Sequence, residues 1–482
     1  MMNPSRSNDD RDAGGCDCGS SSFSRRQWLQ GAGALLWAGV LADVAAASET
    51  PAPADSLLPR PAHFAPRAKR AIMLYMTGGV SHVESFDPKP KLFADHNKTV
   101  TINEWQGRPG EFKRYLKQPH WKFSPHGQSG LEVSELFPRV AECVDDLCVI
   151  RSLKSDHTNH YEATLGLHTG SFNFARPSIG SWVSYGLGTE NQNLPSFVVI
   201  APHSPYAGAQ TWASDFLPGC HQATHVTPGP EPIANIRRLS PSAELQSLEL
   251  ELLAARNGEH LRQRGADAAL AARIQSFETA FGMQMEAPEA FDLSRETDAT
   301  LAMYGLERGS TSGFAWQCLA ARRLAERGVR FIELIDVGSS NNWDAHGDME
   351  THRPLAKNVD QAIAGLLTDL KLRGMLDDTL VVWTTEFGRT PYNAEPNHKG
   401  REHHHWAFSS WLAGGGVKPG IAYGATDEYG IHVADRPVHL HDFHATILHL
   451  LGLDHERLTF RYAGRDYRLT DVHGNVVREI LA

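Results

Sequence analysis

The sequence predicts a mixed α/β fold in which a mostly parallel central sheet is flanked by helices. Three observations carry that prediction. Short apolar runs of strand length recur along the chain, helical patterns lie between several of them, and one long polar helical stretch interrupts the rhythm. The 482 residues, 41% hydrophobic and 21% charged, allow one large α/β domain or two to three smaller ones.

In chain order, residues 1–47 read as an export signal and not as part of the fold. Ser24, the pair Arg25–Arg26 and Trp28-Leu29 precede an apolar run from Gly31 to Leu41, and small residues follow, with cleavage expected after Ala47. The arginine pair marks the twin-arginine (Tat) type. The apolar run is shorter than the roughly 20 residues that span a bilayer. The Tat route carries folded proteins, so a cofactor inserted before export is expected to travel with the chain.

Residues 48–68, rich in Pro and Ala, read as a linker, and residues 69–482 as the α/β domain. Buried strands are expected at "AIMLYM" (71–76), "LCVIRSL" (147–153), "SFVVIA" (196–201), "RFIELIDV" (330–337) and "TLVVWTTE" (379–386). Between the last two of these strands, "NVDQAIAGLLTDLKLRG" (358–374) patterns as a helix. Val359, Ile363, Leu366, Leu367 and Leu370 share one face, and Gly374 offers a C-cap. Residues 236–296 read as a helical insertion that packs beside the sheet or lids the site, with Ser240-Pro241 as its N-cap and first residue.

The net charge of -10 and the lack of any Lys/Arg-rich block argue against nucleic acid as a partner. Histidine is abundant, 25 residues, many of them beside carboxylates. Cys16 and Cys18 lie ahead of the arginine pair. Cys143, Cys148, Cys220 and Cys318 show no C-x-x-C spacing, so one disulfide stays open, and no C-x-x-C-H haem motif is present.

In open parallel sheets, functional residues collect past the carboxyl ends of strands. "NNWDAHGDMETH" (341–352) offers Asp344, His346, Asp348 and His352, an oxygen and nitrogen mix suited to Zn, Mn or Fe; a polar loop of hydrogen-bonded histidines is the plainer alternative. "EFGRTPYN" (386–393) offers Glu386 on the same face and Arg389 as a clamp for an anion, or else a strand-end salt bridge. "GREHHH" precedes an apolar run, and at least one of its histidines is expected to bind metal. Strand neighbours point to opposite sides, so His403, His404 and His405 are not expected all to bind one ion, and His403 and His404 are the chosen candidates; stacking on Trp406 is the alternative. "MTGGVSHVESFDPKP" (76–90) has two glycines for close backbone approach, then His82, Glu84 and Asp87. "SDHTNHYEATLGLHTG" (155–170) places His157, Asn159 and His160 at a helix start, which favours anions.

The blocks "GGVSHVESFDPKP", "NHYEATLGLHTG", "CLAARRLAERGVRFIEL", "NWDAHGD", "TEFGRTP", "GREHHHWAFSSWLAGGGVKPG" and "DFHATILHLLGLD" resemble the alkaline-phosphatase/sulfatase-like superfamily. More closely, they resemble an uncharacterised Tat-exported bacterial domain-of-unknown-function family within it, from about Arg70 to the C-terminus. The resemblance implies an alkaline-phosphatase-like fold and a binuclear metal site. Asp344 and His346 match one ligand pair, Glu386 and Phe387 stand where an Asp-His pair belongs, and His403, or His404 if the loop is shifted by one, matches the later histidine. Glu84 or Asp87 must substitute for a first-strand aspartate, and Asp442 matches the cap of the late helix, whose Ile447, Leu448 and Leu451 are core.

Two departures stand beside the match. Phe387 cannot bind metal, and no Ser, Thr or formylglycine nucleophile is evident near Asn159 and His160. "CLAAR" (318–322) has sulfatase-like spacing but lies far downstream in a helix, which counts against a formylglycine sulfatase.

The expectation is an exported, periplasmic metal-dependent hydrolase of a phosphate- or sulfate-type ester, with metal-bound hydroxide as the attacking group. Asp344, His346 and His403 hold one ion; Glu386 and Asp87 complete it or a second, with His404 the alternate ligand. The metal is a divalent cation, Zn foremost, with Mn, Fe or Ca as alternatives. Arg389 and the helix start at His160 stabilise developing charge, or His160 acts as general acid or nucleophile. His82, Glu84 and Asn159 line the pocket. The expected partners are a small anionic or glycan-type substrate and, during export, the Tat translocase. The alternative is a cell-envelope binding or scaffold protein that keeps the fold and has lost catalysis, favoured by Phe387 and the missing hydroxyl.

Overall fold

The computed structural model describes residues 57–482 apart from 106, 237–239, 266 and 338–341. The signal reading and the first half of the linker therefore lie outside the described residues. The second half is seen packed on the domain: Arg60 N donates to Leu187 O and His63 N to Gly452 O, each at 2.9 Å.

Runs rich in β-branched and aromatic residues, apolar on both faces, form the central sheet. Its strands are β1 (Arg70–Met76), β2 (Leu147–Lys154), β3 (Phe197–Ile200), β4 (Thr224–Val226), β5 (Phe331–Asp336), β6 (Thr379–Thr384), β7 (Phe408–Ala413), β8 (Ile421–Tyr423) and β9 (Val438–His439). They lie in the order β8-β2-β7-β6-β1-β5-β3-β4, with β9 also pairing β2. β1 is parallel to β6 and β5, β3 is parallel to β5 and β4, and β2 is parallel to β8 and β9. Only β7 runs against its neighbours, β6 and β2.

That single reversal positions the site. Met76 pairs with Asp336 and Tyr75 with Thr384, so β1, β5 and β6 end together at one edge. β2, two reversals from β6, ends at the same edge, and β7, running the other way, begins there. Five segments distant in sequence thus emerge side by side.

Helices cover both faces, and β1 shows why. Ile72, Leu74 and Met76 belong to the core cluster beneath α5 (Phe314–Glu326) and α6 (His352–Leu372). Met73 and Tyr75 face the opposite cluster with α2 (Ile179–Leu187) and α7 (Leu440–Leu450). α1 (His160–Thr169) follows β2, and the insertion folds as α3 (Ala243–Arg264) and α4 (Ala268–Phe291).

Two helix starts differ from the sequence expectation. α3 is capped by Ser242, whose hydroxyl accepts from Leu245 N at 3.2 Å, two residues after the expected Ser240. α6 begins at His352, six residues early, because its first turn is largely polar and invisible to apolar periodicity; Pro354 is tolerated there. The four described cysteines are free thiols. Among the described residues no helix is long and apolar enough to cross a membrane.

Candidate metal centre

The loop after β5 carries Asp344 and His346, the start of α1 carries His160, and a two-residue strand, His403–His404, carries His403. That strand pairs antiparallel with Gly388–Arg389, which follows β6. Ligand atoms of His160, Asp344 and His403 all lie within 4.8 Å of one another. Asp344 Oδ2 is 3.3 Å from His160 Nε2; its Oδ1 is 3.3 Å from His403 Nε2 and 3.0 Å from His346 Nε2.

Each imidazole is fixed from behind. His160 Nδ1 donates to Glu386 Oε1 at 2.7 Å, His346 Nδ1 to Glu402 Oε2 at 2.8 Å, and His403 Nδ1 to the Thr158 carbonyl at 2.6 Å. With the proton on Nδ1, every neutral Nε2 presents a lone pair to the cluster. His346 Nε2 and His403 Nε2 are only 3.0 Å apart. Two lone pairs at that distance repel unless a proton or a cation lies between them. His160 Nε2 is buried and completes no hydrogen bond.

The charges point the same way. Asp344 and Glu402 share the guanidinium of Arg389, and Glu386 stands behind His160, so these groups leave the cluster anionic when its imidazoles are neutral. Burial opposes ionisation of Asp344, but contacts with His160, His346 and His403 and the Arg389 charge hold its carboxyl far below the usual range. Hydrogen bonds to Asp344 and Glu402 push His346 up to about 9. Burial would lower His160, yet Asp344 and Glu386 outweigh it and raise it; for His403, burial wins and lowers it.

Glycine makes the approach possible. Gly78 has φ +106°, and a Cβ there would sit 2.7 Å from Asp344 N; its own N–H donates to Glu386 Oε1 at 2.8 Å. Tyr75 and Thr385 hydroxyls donate to the other Glu386 oxygen. Glu386 thus stands behind His160 and does not front the cluster.

Several sequence candidates lie elsewhere. Arg389, expected to clamp an anion, is fully buried and spent on the Gly78, Gly79 and Arg401 carbonyls and on Asp344. Asp87 is buried with Lys89 Nζ and the Thr426 hydroxyl, away from the cluster. His404 points to the other side of its strand, as alternation dictates. It stacks on His82, and the two rings donate from Nε2 to the carbonyls of Ile431 and Gly430. Glu84 forms a buried ion pair with Arg401, which holds its carboxyl down to about 2 against the effect of burial. Asn159 caps α1, accepting from Tyr161 N. Asp348 caps the turn before α6, and His352 is buried edge-on to Trp343.

Phe387 packs its ring against His160 and His403, at centroid distances of 4.8 and 4.6 Å. Sequence reasoning missed Glu402, Tyr75, the Thr158 carbonyl and Tyr206, whose ring lies flat on His160 with centroids 4.3 Å apart. Only Glu402 carried a signal, as a carboxylate beside the histidine run; the Tyr206 loop has no motif.

Fold and cluster together define an α/β protein with a candidate metal centre at the edge of its sheet. The chain belongs to the family described as "Protein of unknown function (DUF1501)", which matches residues 68–481. No curated protein matches it. Among solved structures it is similar to the lipoteichoic acid synthase LtaP from Listeria monocytogenes, with 8% identity, 87% of this chain and 79% of that one covered, and a TM-score of 0.37. It is also similar to an alkaline phosphatase superfamily protein from Vibrio parahaemolyticus (11%, 85% and 73%, 0.36). A third is a phosphonate monoester hydrolase from Silicibacter pomeroyi (12%, 86% and 76%, 0.35).

Proposed function

We propose that this protein is an exported, metal-dependent hydrolase of a phosphate- or sulfate-type ester. The observation that carries the reading is the convergence of three imidazole Nε2 atoms on Asp344, each ring fixed through Nδ1. Two ligands each about 2.0–2.1 Å from a four-coordinate ion lie roughly 3.3 Å apart; the contacts of His160, His346 and His403 with Asp344 and the His346–His403 pair stand at 3.0–3.3 Å. Asp344, His160 and His403, whose ligand atoms all lie within 4.8 Å of one another, would hold the ion, with His346, 3.0 Å from Asp344 and His403, as a further donor. His160 thus serves as a ligand and not as acid or nucleophile. Nitrogen-rich ligation suits Zn, Mn or Fe; Ca, which takes about six to eight oxygens, fits poorly.

A bound divalent cation supplies Lewis acidity toward an ester oxygen and makes water a nucleophile near neutral pH. The protein's part is positional. Glu386, Glu402 and the Thr158 carbonyl fix the tautomers, and outer partners of this kind raise ligand basicity. Arg389 balances part of the carboxylate charge from the buried side. The open side, toward Tyr206 and Asn159, admits the substrate. The choice of ester class rests on the sequence blocks, and export rests on the Arg25–Arg26 leader.

A second reading, a binding protein that has lost catalysis, draws on Phe387, whose ring fills the space beside His160 and His403 where another ligand would stand. One experiment separates them. The full chain is expressed in a bacterium with a Tat translocase, and the exported fraction is assayed for metal and for turnover of 4-nitrophenyl phosphate and sulfate. We expect roughly one ion per chain and turnover of one ester, both lost in Asp344→Ala. Metal without turnover favours the binding protein. Metal-free protein refutes the centre, and a chain kept in the cytoplasm refutes export.

A further inference from the structure

The open side of the cluster is a cleft of about 590 Å³, lined by Thr158, Asn159, His160, Tyr161, Tyr206 and His403. That size falls within the roughly 300–1,000 Å³ of small-ligand sites. None of the six carries a permanent charge. Arg389, close behind the cluster, is fully buried and cannot reach into the cleft.

Two tyrosines from separate segments line this cleft. Tyr161, in the first turn of α1, is 45% exposed, and its hydroxyl donates to Gln210 Oε1 at 3.1 Å. This ties α1 to the loop that carries Tyr206. Tyr206 lies within 9° of parallel to His160. The residue after it, Ala207, is buried with φ +61°, a left-handed conformation that a non-glycine residue adopts only when its surroundings impose it. The loop is therefore bent to hold Tyr206 over the cluster.

Aromatic faces accept the C–H face of a saturated ring, and neutral amides and hydroxyls accept its hydroxyl groups. We propose that the cleft binds the sugar ring of a carbohydrate ester, with Tyr206 and Tyr161 as its stacking platform. A nucleotide fits less well, since its remaining phosphates would meet no cationic side chain on this wall. The assignment rests on the hydrolase reading for which end of the ligand reacts, but ring binding needs no metal.

The test is saturation-transfer NMR on wild-type protein and Asp344→Ala, with neutral hexoses, N-acetylhexosamines and adenosine as probes. At least one sugar should show saturated ring protons in both proteins. The signal should fall at least five-fold in Tyr206→Ala and in Tyr161→Ala, and it should persist in Tyr206→Phe and in Tyr161→Phe, which loses the bond to Gln210 and keeps the ring. No sugar signal, a signal from adenosine alone, or an unchanged signal in Tyr206→Ala overturns the proposal. Sugar binding by a protein that holds no metal and turns over no ester would refute the hydrolase reading and leave this one standing.

Discussion

Glu402 tests at the scale of one residue whether the cluster is built for a cation. Its carboxylate accepts from His346 Nδ1 at 2.8 Å, and it lies at one rim of the site. Replacing it with Gln keeps an acceptor and removes the charge that strengthens the imidazole as a ligand. Such outer partners are typically worth 10- to 100-fold in metal affinity. Glu402→Gln should weaken Zn binding about 10-fold in a chelator competition, while circular dichroism of the metal-free protein shows the native fold retained. Equal affinity would mean that Glu402 only decorates the rim. The same residue shows what the sequence hides at this scale. Asp344, His346 and His403 are legible because carboxylates and imidazoles gather right after or before apolar runs. Direction is not legible: His403 and His404 are chemically identical, and only the pairing of their strand with Gly388–Arg389 turns one toward Asp344 and the other toward His82. Arg389 failed as a clamp for the same reason, its guanidinium having turned inward.

Among elements, the contact that closes the site runs between the loop after β5 and the segment before His403. Arg401 N donates to Ala345 O at 3.0 Å, and Met349 N donates to Lys399 O at 3.1 Å. Gly400 lies between these bonds, and a Cβ on it would stand 1.7 Å from His346 O. Neither backbone can yield cheaply, since both are held on either side. Gly400→Ala should therefore part the two segments, cost about 1–3 kcal/mol of stability, and weaken metal binding along with it. Calorimetry and Zn titration of the same preparation check this, and unchanged values in both would show that the segments are not rigidly joined. Of the nine strands, β1, β2, β3, β5 and β6 were legible from their apolar runs to within a residue or two, whereas β4, β8 and β9, two or three residues each, were not. That five of the nine deliver their loops to one edge was not legible, because it depends on β7 running backwards, and no local pattern encodes strand direction.

For the whole molecule, the abundance of histidine becomes a dependence of stability on pH. Burial lowers His221, His352 and His444 to about 3, and it also lowers His82 and His404. An unfolded imidazole takes up its proton near 6.5, so below that pH the unfolded chain binds more protons than the folded one. Each such group contributes stability that is present above 6.5 and lost as pH falls toward its folded value, by at most about 1.4 kcal/mol per pH unit. Asp336 and Asp360, raised by burial to about 6, act in the opposite sense: they stabilise below their unfolded range and lose that contribution as pH rises through 6. Five imidazoles outweigh two carboxyls, so acid destabilises. On the alkaline side burial opposes charge on His168, but its buried pairing with Glu333 prevails and raises it. Its contribution is complete below about 6.5 and fades above. Stability should therefore peak near neutrality and fall from pH 7 to pH 5 in urea titrations. His444 donates from Nε2 to Leu167 O, a bond that a glutamine amide can replace without titrating. His444→Gln should flatten the acid slope by about 1 kcal/mol per pH unit between pH 7 and pH 5. Equal urea midpoints at pH 7 and pH 5 would mean that these rings are hydrated in the folded protein and not held neutral by its core.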